Sequence, residues 1–449
     1  MNELNQFPYS NILVLGLAKS GSATAKLLCR NGKRVRVNDL KTNTDDPIVQ
    51  ELRKMGAEVI LGSHPLSVLD GVEVIVKNPG ISYENPVLMQ AQQQNIPIIT
   101  EVELTSYMTD RIIGITGSNG KTTTTMLIHE MLENSNCQTK LAGNIGTAVA
   151  SEVAEMLLPE ETLVLELSSF QLMGTEKFKP HISVLLNIFE AHLDFHHTLA
   201  NYVAAKRNII RNQTIDDVVV YNLDDQTVSE MIKHTAAKKV PFSLTKRLPE
   251  GAWLDKEYIY FREEKVISRK DIVLVGSHNL QNILAAICTS KLAGANNEGI
   301  RHVLTTFTGV KHRLQFVGKI HERLFYNDSK ATNMLATEKA LASFTQPTIL
   351  LAGGLDRGNE FDSLIPHLQY VKAIVVFGQT GEKLKRVAEE ADIPIVIDAE
   401  NVTDAVGKSF DISKPGDVIL LSPACASWDQ YKTFEQRGDM FIQAVHTLK

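Results

Sequence analysis

A three-domain α/β protein with mostly parallel sheets is the fold this sequence predicts, and three observations predict it. At 449 residues the chain exceeds what one hydrophobic core serves, at about 100–200 residues per domain. Hydrophobic residues make up 43% and charged residues 22%, a globular balance. Three times an apolar, β-rich run passes through a Gly-containing turn into a helical pattern, the signature of parallel α/β units. No fixed-period repeat accompanies them.

Taken in order, the first unit opens with the strand Asn11-Ile-Leu-Val-Leu-Gly16 and turns through Gly21 into a helix ending near Asn31 and Gly32. A second strand, 34–38, delivers Asp39, and a third, 72–76, ends in Lys77-Asn78-Pro79-Gly80-Ile81, where Pro and Gly turn the backbone out of the sheet. Residues 97–110 connect to a second domain. It begins with Arg111-Ile-Ile-Gly-Ile-Thr116, runs into Gly117-Ser-Asn-Gly-Lys-Thr122, continues as a helix to about Asn134, and has further strands at 162–167 and 181–187. Short β patterns fill 215–277, with an antiparallel patch at 253–273. An Ala-rich helix follows, its N-terminus near Ser277 or Asn279. The third domain begins around 306–313 and carries strands at 324–326, 348–352, 373–377 and 418–421. The predicted domains are residues 1–98, 99–305 and 306–449.

The formal net charge of −6 gives no basic footprint for nucleic acid or an anionic membrane, yet permits local positive pockets for phosphorylated ligands. The four cysteines, Cys29, Cys137, Cys288 and Cys425, include no C-x-x-C pair, which argues against a disulfide framework or a Cys-rich zinc site. Neither a basic and apolar leader nor an apolar run of about 18 residues is visible. The expectation is a cytoplasmic monomer without membrane insertion.

The chemistry centres on Thr116-Gly-Ser-Asn-Gly-Lys-Thr-Thr123, placed where a strand gives way to a helix. Such a loop points backbone N–H groups and a helix N-terminus at phosphate; Lys121 adds charge and the Thr122 hydroxyl can hold Mg²⁺. The spacing departs from the ordinary phosphate loop, because position 115 is Ile and the first usable glycine is Gly117. Glu166, ending the run Leu163-Val-Leu-Glu166, could reach the same ion. His192, after another strand, is a candidate third ligand. The first unit has the strand, Gly-rich turn, helix and later acid of a Rossmann-like dinucleotide site. Its turn, Gly16-Leu-Ala-Lys-Ser-Gly21, puts Ala18 where the middle glycine belongs, so the diphosphate of a UDP-sugar fits as well. Asn327-Asp-Ser-Lys-Ala-Thr-Asn333 and Ser422-Pro-Ala-Cys-Ala-Ser427 follow strands, where α/β ligands bind. Arg313, after His312, supplies a cation near the second boundary.

In order along the chain, these segments are joined by Gly143-Asn-Ile-Gly, Leu165-Glu-Leu-Ser-Ser-Phe-Gln-Leu, Tyr202-Val-Ala-Ala-Lys206, His278-Asn-x-x-Asn282 and Lys311-His-Arg313. The last, Leu421-Ser-Pro-Ala-Cys-Ala-Ser-Trp-Asp-Gln430, runs on to Phe434-Glu-Gln-Arg-Gly438. The set resembles the Mur ligase family over essentially the full length, in particular its D-glutamate-adding branch. The resemblance implies a Rossmann-like N-terminal domain holding UDP-N-acetylmuramoyl-L-alanine, a central phosphate-loop ATPase-type domain and a Rossmann-like C-terminal domain holding D-glutamate. It further implies ATP and two Mg²⁺ ions as cofactors, and a reaction through an acyl phosphate and a tetrahedral intermediate.

Carried over residue by residue, the resemblance places ATP on Gly117, Ser118, Asn119, Gly120, Lys121, Thr122, Thr123, Asn279, Asn282, Arg313, Asp328 and Lys330, with Asp328 on the ribose. It places metal on Thr122, Glu166, His192 and a carbamylated Lys206, and makes Lys121, Glu166, His192 and Lys206 the catalytic set. The UDP-substrate falls to Gly16, Ala18, Asp39, Leu40, Asn78, Gly80 and Asn144, and D-glutamate to Thr332, Arg357, Ser427 and Phe434. Read from the residues alone, Lys206 is a solvated helix lysine. Arg357, in Leu351-Ala-Gly-Gly-Leu-Asp-Arg-Gly358, stands where the family resembles a Lys, which keeps the charge and changes its geometry. Three other readings stay open: another Mur-type or folylpolyglutamate-type amide ligase, a non-catalytic nucleotide-binding module, and, from the first unit alone, a dehydrogenase.

Overall fold

In this computed structural model every residue is described except Met1, Asn5, Gly146, Thr147, Val275 and Lys449, together with the side chains of Ser277 and His278. The chain forms two compact units, Met1–Asp271 with Leu280–Val303, and Ile272–Asn279 with Leu304–Lys449. Two sheets lie in the first unit and one in the second.

The first sheet comprises β1 (Asn11–Leu15), β2 (Arg34–Asp39), β3 (Glu58–Leu61), β4 (Val74–Lys77) and β5 (Ile98–Ile99), all parallel, in the order 3-2-1-4-5. The unbroken apolar run of β1 follows from helices covering both faces, because alternate residues enter different cores. Ile12 and Val14 pack with Ala25 and Leu28, while Leu13 and Leu15 pack with Val87 and Leu88. The expected third strand starts two residues later and ends one later, as β4: Lys77 is its last, fully buried residue and not part of the turn. Its Nζ donates to the carbonyls of Asn78 and Pro79 at 3.2 and 3.0 Å, and burial pulls its pKa down to about 8.

The second sheet holds β6 (Ile112–Thr116), β7 (Thr139–Gly143), β8 (Thr162–Glu166), β9 (Ile182–Leu185), β10 (Val218–Asn222), β11 (Lys238–Ser243), β12 (Ala252–Leu254), β13 (Tyr258–Phe261) and β14 (Glu264–Ser268). Their order is 14-13-12-11-10-9-6-8-7. Only the β12–β13 and β13–β14 pairs are antiparallel, as the sequence suggested for 253–273. The Ala-rich helix begins at Ser277, with Asn279 in its first turn, as the sequence suggested. The side chains of Ser277 and His278, and Gly146 of the Gly143 motif, lie outside the described residues.

In the second unit β15 (Gln315–Ile320), β16 (Arg323–Asn327), β17 (Thr348–Gly353), β18 (Val371–Phe377), β19 (Val396–Asp398) and β20 (Val418–Leu421) form a sheet of order 15-16-20-17-18-19. Its one antiparallel pair, β15–β16, was not read from the sequence.

Segment 100–107 latches the first two sheets together. Thr100 donates its N–H to the Gly174 carbonyl at 2.8 Å and its hydroxyl to that of Gln171 at 2.7 Å. Glu103 accepts from the N–H groups of Glu176, Lys177 and Phe178 at 2.9, 2.7 and 3.0 Å. Glu101 accepts from the Ser151 N–H at 3.1 Å, and burial pushes its carboxyl up to about 7. At the chain start, the Asn2 N–H donates to Glu155, whose carboxylate pairs with Arg30.

Two outcomes follow from this packing. A Cβ on Gly21 would stand 1.8 Å from the Gly16 carbonyl oxygen, so Gly21→Ala should lower the melting temperature by several degrees, at a cost of about 1–3 kcal/mol. For Glu101, the unfolded carboxyl ionises near the ordinary value of 4.5 and the folded one near 7, so stability falls as pH rises across that interval. Glu101→Gln should therefore raise the melting temperature relative to the native chain at pH 8 and lose that advantage by about pH 4.5. A constant difference across the pH range would refute the assignment.

Candidate active site

β6 ends at Thr116 and the chain turns through Gly117–Gly120 into the helix Lys121–Glu133. Gly120 caps that helix in the left-handed region at φ 84°, and a Cβ there would lie 2.1 Å from Asn282 Oδ1, so only glycine lets Asn282 come this close. Around the loop, Asn119 donates its N–H to Asn187 Oδ1 at 2.9 Å, and the Ser118 hydroxyl meets the Phe189 carbonyl at 3.0 Å. Lys121 Nζ folds back onto the Gly117 and Ser118 carbonyls at 2.9 and 3.1 Å. The N–H groups of the first turn of the helix Lys121–Glu133 are left to form an anion cradle at its N-terminus. Thr122 is half-buried on the first helical turn and Thr123 is buried.

The parallel register places Glu166 opposite Ile115, next to the loop. Glu166 is 2% exposed. Its Oε1 accepts from Asn144 Nδ2 at 2.9 Å, while its buried Oε2 has no partner. Lys206 is not the solvated lysine that helix periodicity suggests. It is 1% exposed, with Nζ donating to Thr116 Oγ1 at 3.2 Å and to the Gly117 carbonyl at 2.9 Å. Burial, and then the charge of Lys121, hold its pKa well below the usual ammonium value against the opposing pull of Glu166. Its neighbour on the same helix, Tyr202, places its ring 4.8 Å from Nζ and its hydroxyl 3.1 Å from Ser118 Oγ.

His192 is exposed, adopts the left-handed φ of 55° and caps the short helix Leu193–His196, edge-on to Phe170 at 5.1 Å. Among the described residues no three or more His, Cys, Asp or Glu side chains cluster closely enough to hold a metal by themselves.

A cleft of about 550 Å³ in the same unit is lined on one side by Ala18, Asn78 and Gly80 and on the other by Glu101, Asn144, Ser168, Phe170 and Gln171. Asn78 ties its turns together, its Nδ2 donating to Ser20 Oγ at 3.1 Å and its Oδ1 accepting from the Gly80 N–H at 3.2 Å. Gly16, at φ 95°, has Ile81 and Asn78 within 3.0 Å of where a Cβ would sit. Asp39 accepts from the N–H groups of Leu17, Lys41 and Thr42 at 2.7, 2.8 and 2.7 Å. It thereby shapes the turn itself, and leaves Leu40 51% exposed. Glu101, Phe170 and Gln171 were not read as site residues, since nothing in their spacing announces the cleft.

In the second unit Arg313 lies just before β15, and Asp328, Lys330 and Thr332 follow β16. Asp328 accepts from Leu314 N and Ser422 Oγ at 3.0 and 2.9 Å. Burial pushes its carboxyl up to about 7, although Arg313 pulls the other way. Arg313 Nε is buried without a partner, as is the hydroxyl of Ser427, a residue 1% exposed. Lys330 Nζ lies 5.5 Å over the Phe434 ring. Arg437 was not singled out in the sequence, yet its guanidinium is fully buried and joins three loops. It donates to Ser329 Oγ at 3.1 Å and to the carbonyls of Ser329, Cys425 and Gly353 at 3.0, 3.0 and 3.4 Å. Burial lowers its pKa to about 10.

Residues 10–100 match the description "Mur ligase MurD-like, N-terminal domain", residues 115–290 "Mur ligase middle domain" and residues 312–425 "Mur ligase, glutamate ligase domain". The chain is 58% identical over 450 residues to the UDP-N-acetylmuramoylalanine--D-glutamate ligase of Oceanobacillus iheyensis, covering 100% of both chains. It is 56% identical over 446 residues to the enzyme of the same name from Geobacillus kaustophilus, covering 99% of both. Among solved structures, MurF ligase from Thermotoga maritima in complex with ADP shares the fold with a TM-score of 0.57 at 17% identity, over 99% of this chain and 98% of that one. With its three sheets, its phosphate loop and its full-length relatives, the chain belongs to the Mur ligase family.

Proposed function

We propose that this chain joins D-glutamate to UDP-N-acetylmuramoyl-L-alanine, converting ATP to ADP and phosphate. One observation carries the reading: the cleft bordered by Ala18, Asn78 and Gly80 ends at Asn144, whose amide holds Glu166 beside the phosphate loop. A carboxylate delivered along that cleft meets a nucleotide bound at Gly117–Thr123. The alanyl carboxylate takes the γ-phosphoryl group, giving an acyl phosphate and ADP. The amine of D-glutamate adds to the acyl carbon, and the tetrahedral intermediate expels phosphate as the amine loses its proton. Lys121 and the loop N–H groups hold the charge that the transfer moves. The sequence boundaries at 98 and 305 divide these tasks among the UDP-substrate, ATP and amino-acid domains.

The residues present fit Mg²⁺. The orphaned, buried Glu166 Oε2 calls for a cation, and the Thr122 hydroxyl, His192 and a carbamylated Lys206 supply further oxygen and nitrogen donors for two ions. Bound there, the ions would neutralise phosphate charge. The unprotonated Lys206 amine can add to CO₂, losing a proton and becoming an oxygen donor. Asn279, Asn282, Arg313, Asp328 and Lys330 are assigned to the nucleotide, and Thr332, Arg357, Ser427 and Phe434 to D-glutamate. Free cysteines agree with a reducing cytoplasm, and no described helix is long and apolar enough to cross a membrane.

With Mg²⁺-ATP and UDP-N-acetylmuramoyl-L-alanine, ADP release should occur with D-glutamate and not with L-glutamate, L-alanine or L-lysine. Release that ignores the amino acid would instead favour a nucleotide-binding module. Lys206→Ala should lose about 10–100-fold in kcat, and added acetate should restore part of it by replacing the carbamate oxygens. Full activity in this variant would remove the modified lysine from the mechanism.

A further inference from the structure

Arg357 sits in the turn that follows β17. That turn is docked on the segment after β20: Leu355 N donates to the Ala426 carbonyl at 2.9 Å, and Gly354, at φ 152°, has that same oxygen 2.3 Å from where a Cβ would stand. Next along the chain, the Asp356 carboxylate is already engaged. It accepts from the Gly358 N–H at 2.8 Å and from Lys383 Nζ at 3.2 Å. Arg357 itself makes no hydrogen bond or ion pair with any described residue. Its one contact of note is the Trp428 indole, whose ring centroid lies 4.9 Å from the guanidinium carbon. Trp428 is 65% exposed, too open for a packing residue, and it follows Ser427, whose buried hydroxyl has no partner.

We propose that Trp428 is a positioning residue for the amino-acid substrate, its indole holding the Arg357 guanidinium as a planar receptor for the side-chain carboxylate of D-glutamate. The proposal rests on the D-glutamate reading above. Indole is the aromatic face that best attracts a cation. A guanidinium held against that face keeps its N–H edge free, and that edge matches a carboxylate with two parallel hydrogen bonds. A lysine would offer only a point charge. Because Lys383 occupies the neighbouring aspartate, the Arg357 donors remain free for a ligand, and the stacking limits the side-chain freedom lost when the ligand binds.

The test is a D-glutamate titration of the full chain at saturating ATP and UDP-substrate. No turnover with D-glutamate in the native chain would overturn the functional reading and the proposal together. Given turnover, an unchanged D-glutamate KM in Arg357→Ala overturns the proposal while leaving the reaction standing. Trp428→Leu should raise the KM for D-glutamate about two- to fivefold with little change in kcat or in the KM for ATP, and Trp428→Phe should keep most of the native affinity. In the Arg357→Ala background, Trp428→Leu should add nothing, since its effect passes through the missing guanidinium. An equal loss in both backgrounds, a parallel fall in kcat, or no loss in Trp428→Leu would each overturn the proposal.

Discussion

The desolvation of Lys206 is the constraint on which the first unit depends. Burial makes the charged form of this amine costly and holds its pKa well below the usual ammonium value, with one hydroxyl, one carbonyl and the Tyr202 ring around it. Glu166 forms no salt bridge among the described residues, and Asn144 satisfies only one of its oxygens. Parallel register fixes this arrangement, because β6 and β8 are direct neighbours and end on the same edge. Loop, acid and amine are thus brought together by backbone pairing, and the orphaned oxygen is what a bound cation would satisfy.

The second unit solves a related problem differently. Arg437 carries a buried charge with no carboxylate in ion-pair distance among the described residues, and it makes four hydrogen bonds, to three backbone carbonyls and one hydroxyl at the ends of three separate strands. A guanidinium spreads its charge and offers five donors in a fixed plane, which suits it to tie loops together where an ammonium could not. The segments after β16, β17 and β20 owe their mutual spacing to it, and the candidate amino-acid residues Thr332, Arg357 and Ser427 lie on those segments.

Much of this was legible in the sequence. The continuous apolar strands ending in Gly-rich turns mark parallel sheets covered on both faces, and Gly-Lys-Thr at a strand-to-helix junction marks the phosphate loop. What escaped has physical reasons. The burial of Lys206 depends on a helix lying over the loop, which helix periodicity cannot reveal. Arg437 is held by backbone oxygens that every residue possesses, so no partner betrays it. The pair β15–β16 lacks the short Gly or Asn turn that signals a hairpin: His321 and Glu322 take positive φ there instead. Asp39 and Asp328, expected at ligand sites, also accept hydrogen bonds that hold neighbouring segments, a second role their spacing does not announce.

The latch at 100–107 also bears on how the chain is made. Synthesis proceeds from the N-terminus, and domains tend to fold as they emerge. The first sheet is complete once β5 has appeared, yet Thr100 and Glu103 bond to residues 171–178, and Asn2 and Arg30 to Glu155. The buried Glu101 has to wait 50 residues of translation for its partner Ser151, and the buried Glu103 more than seventy for residues 176–178. The nascent chain must wait for β8 and the helix after it before its first module can be sealed.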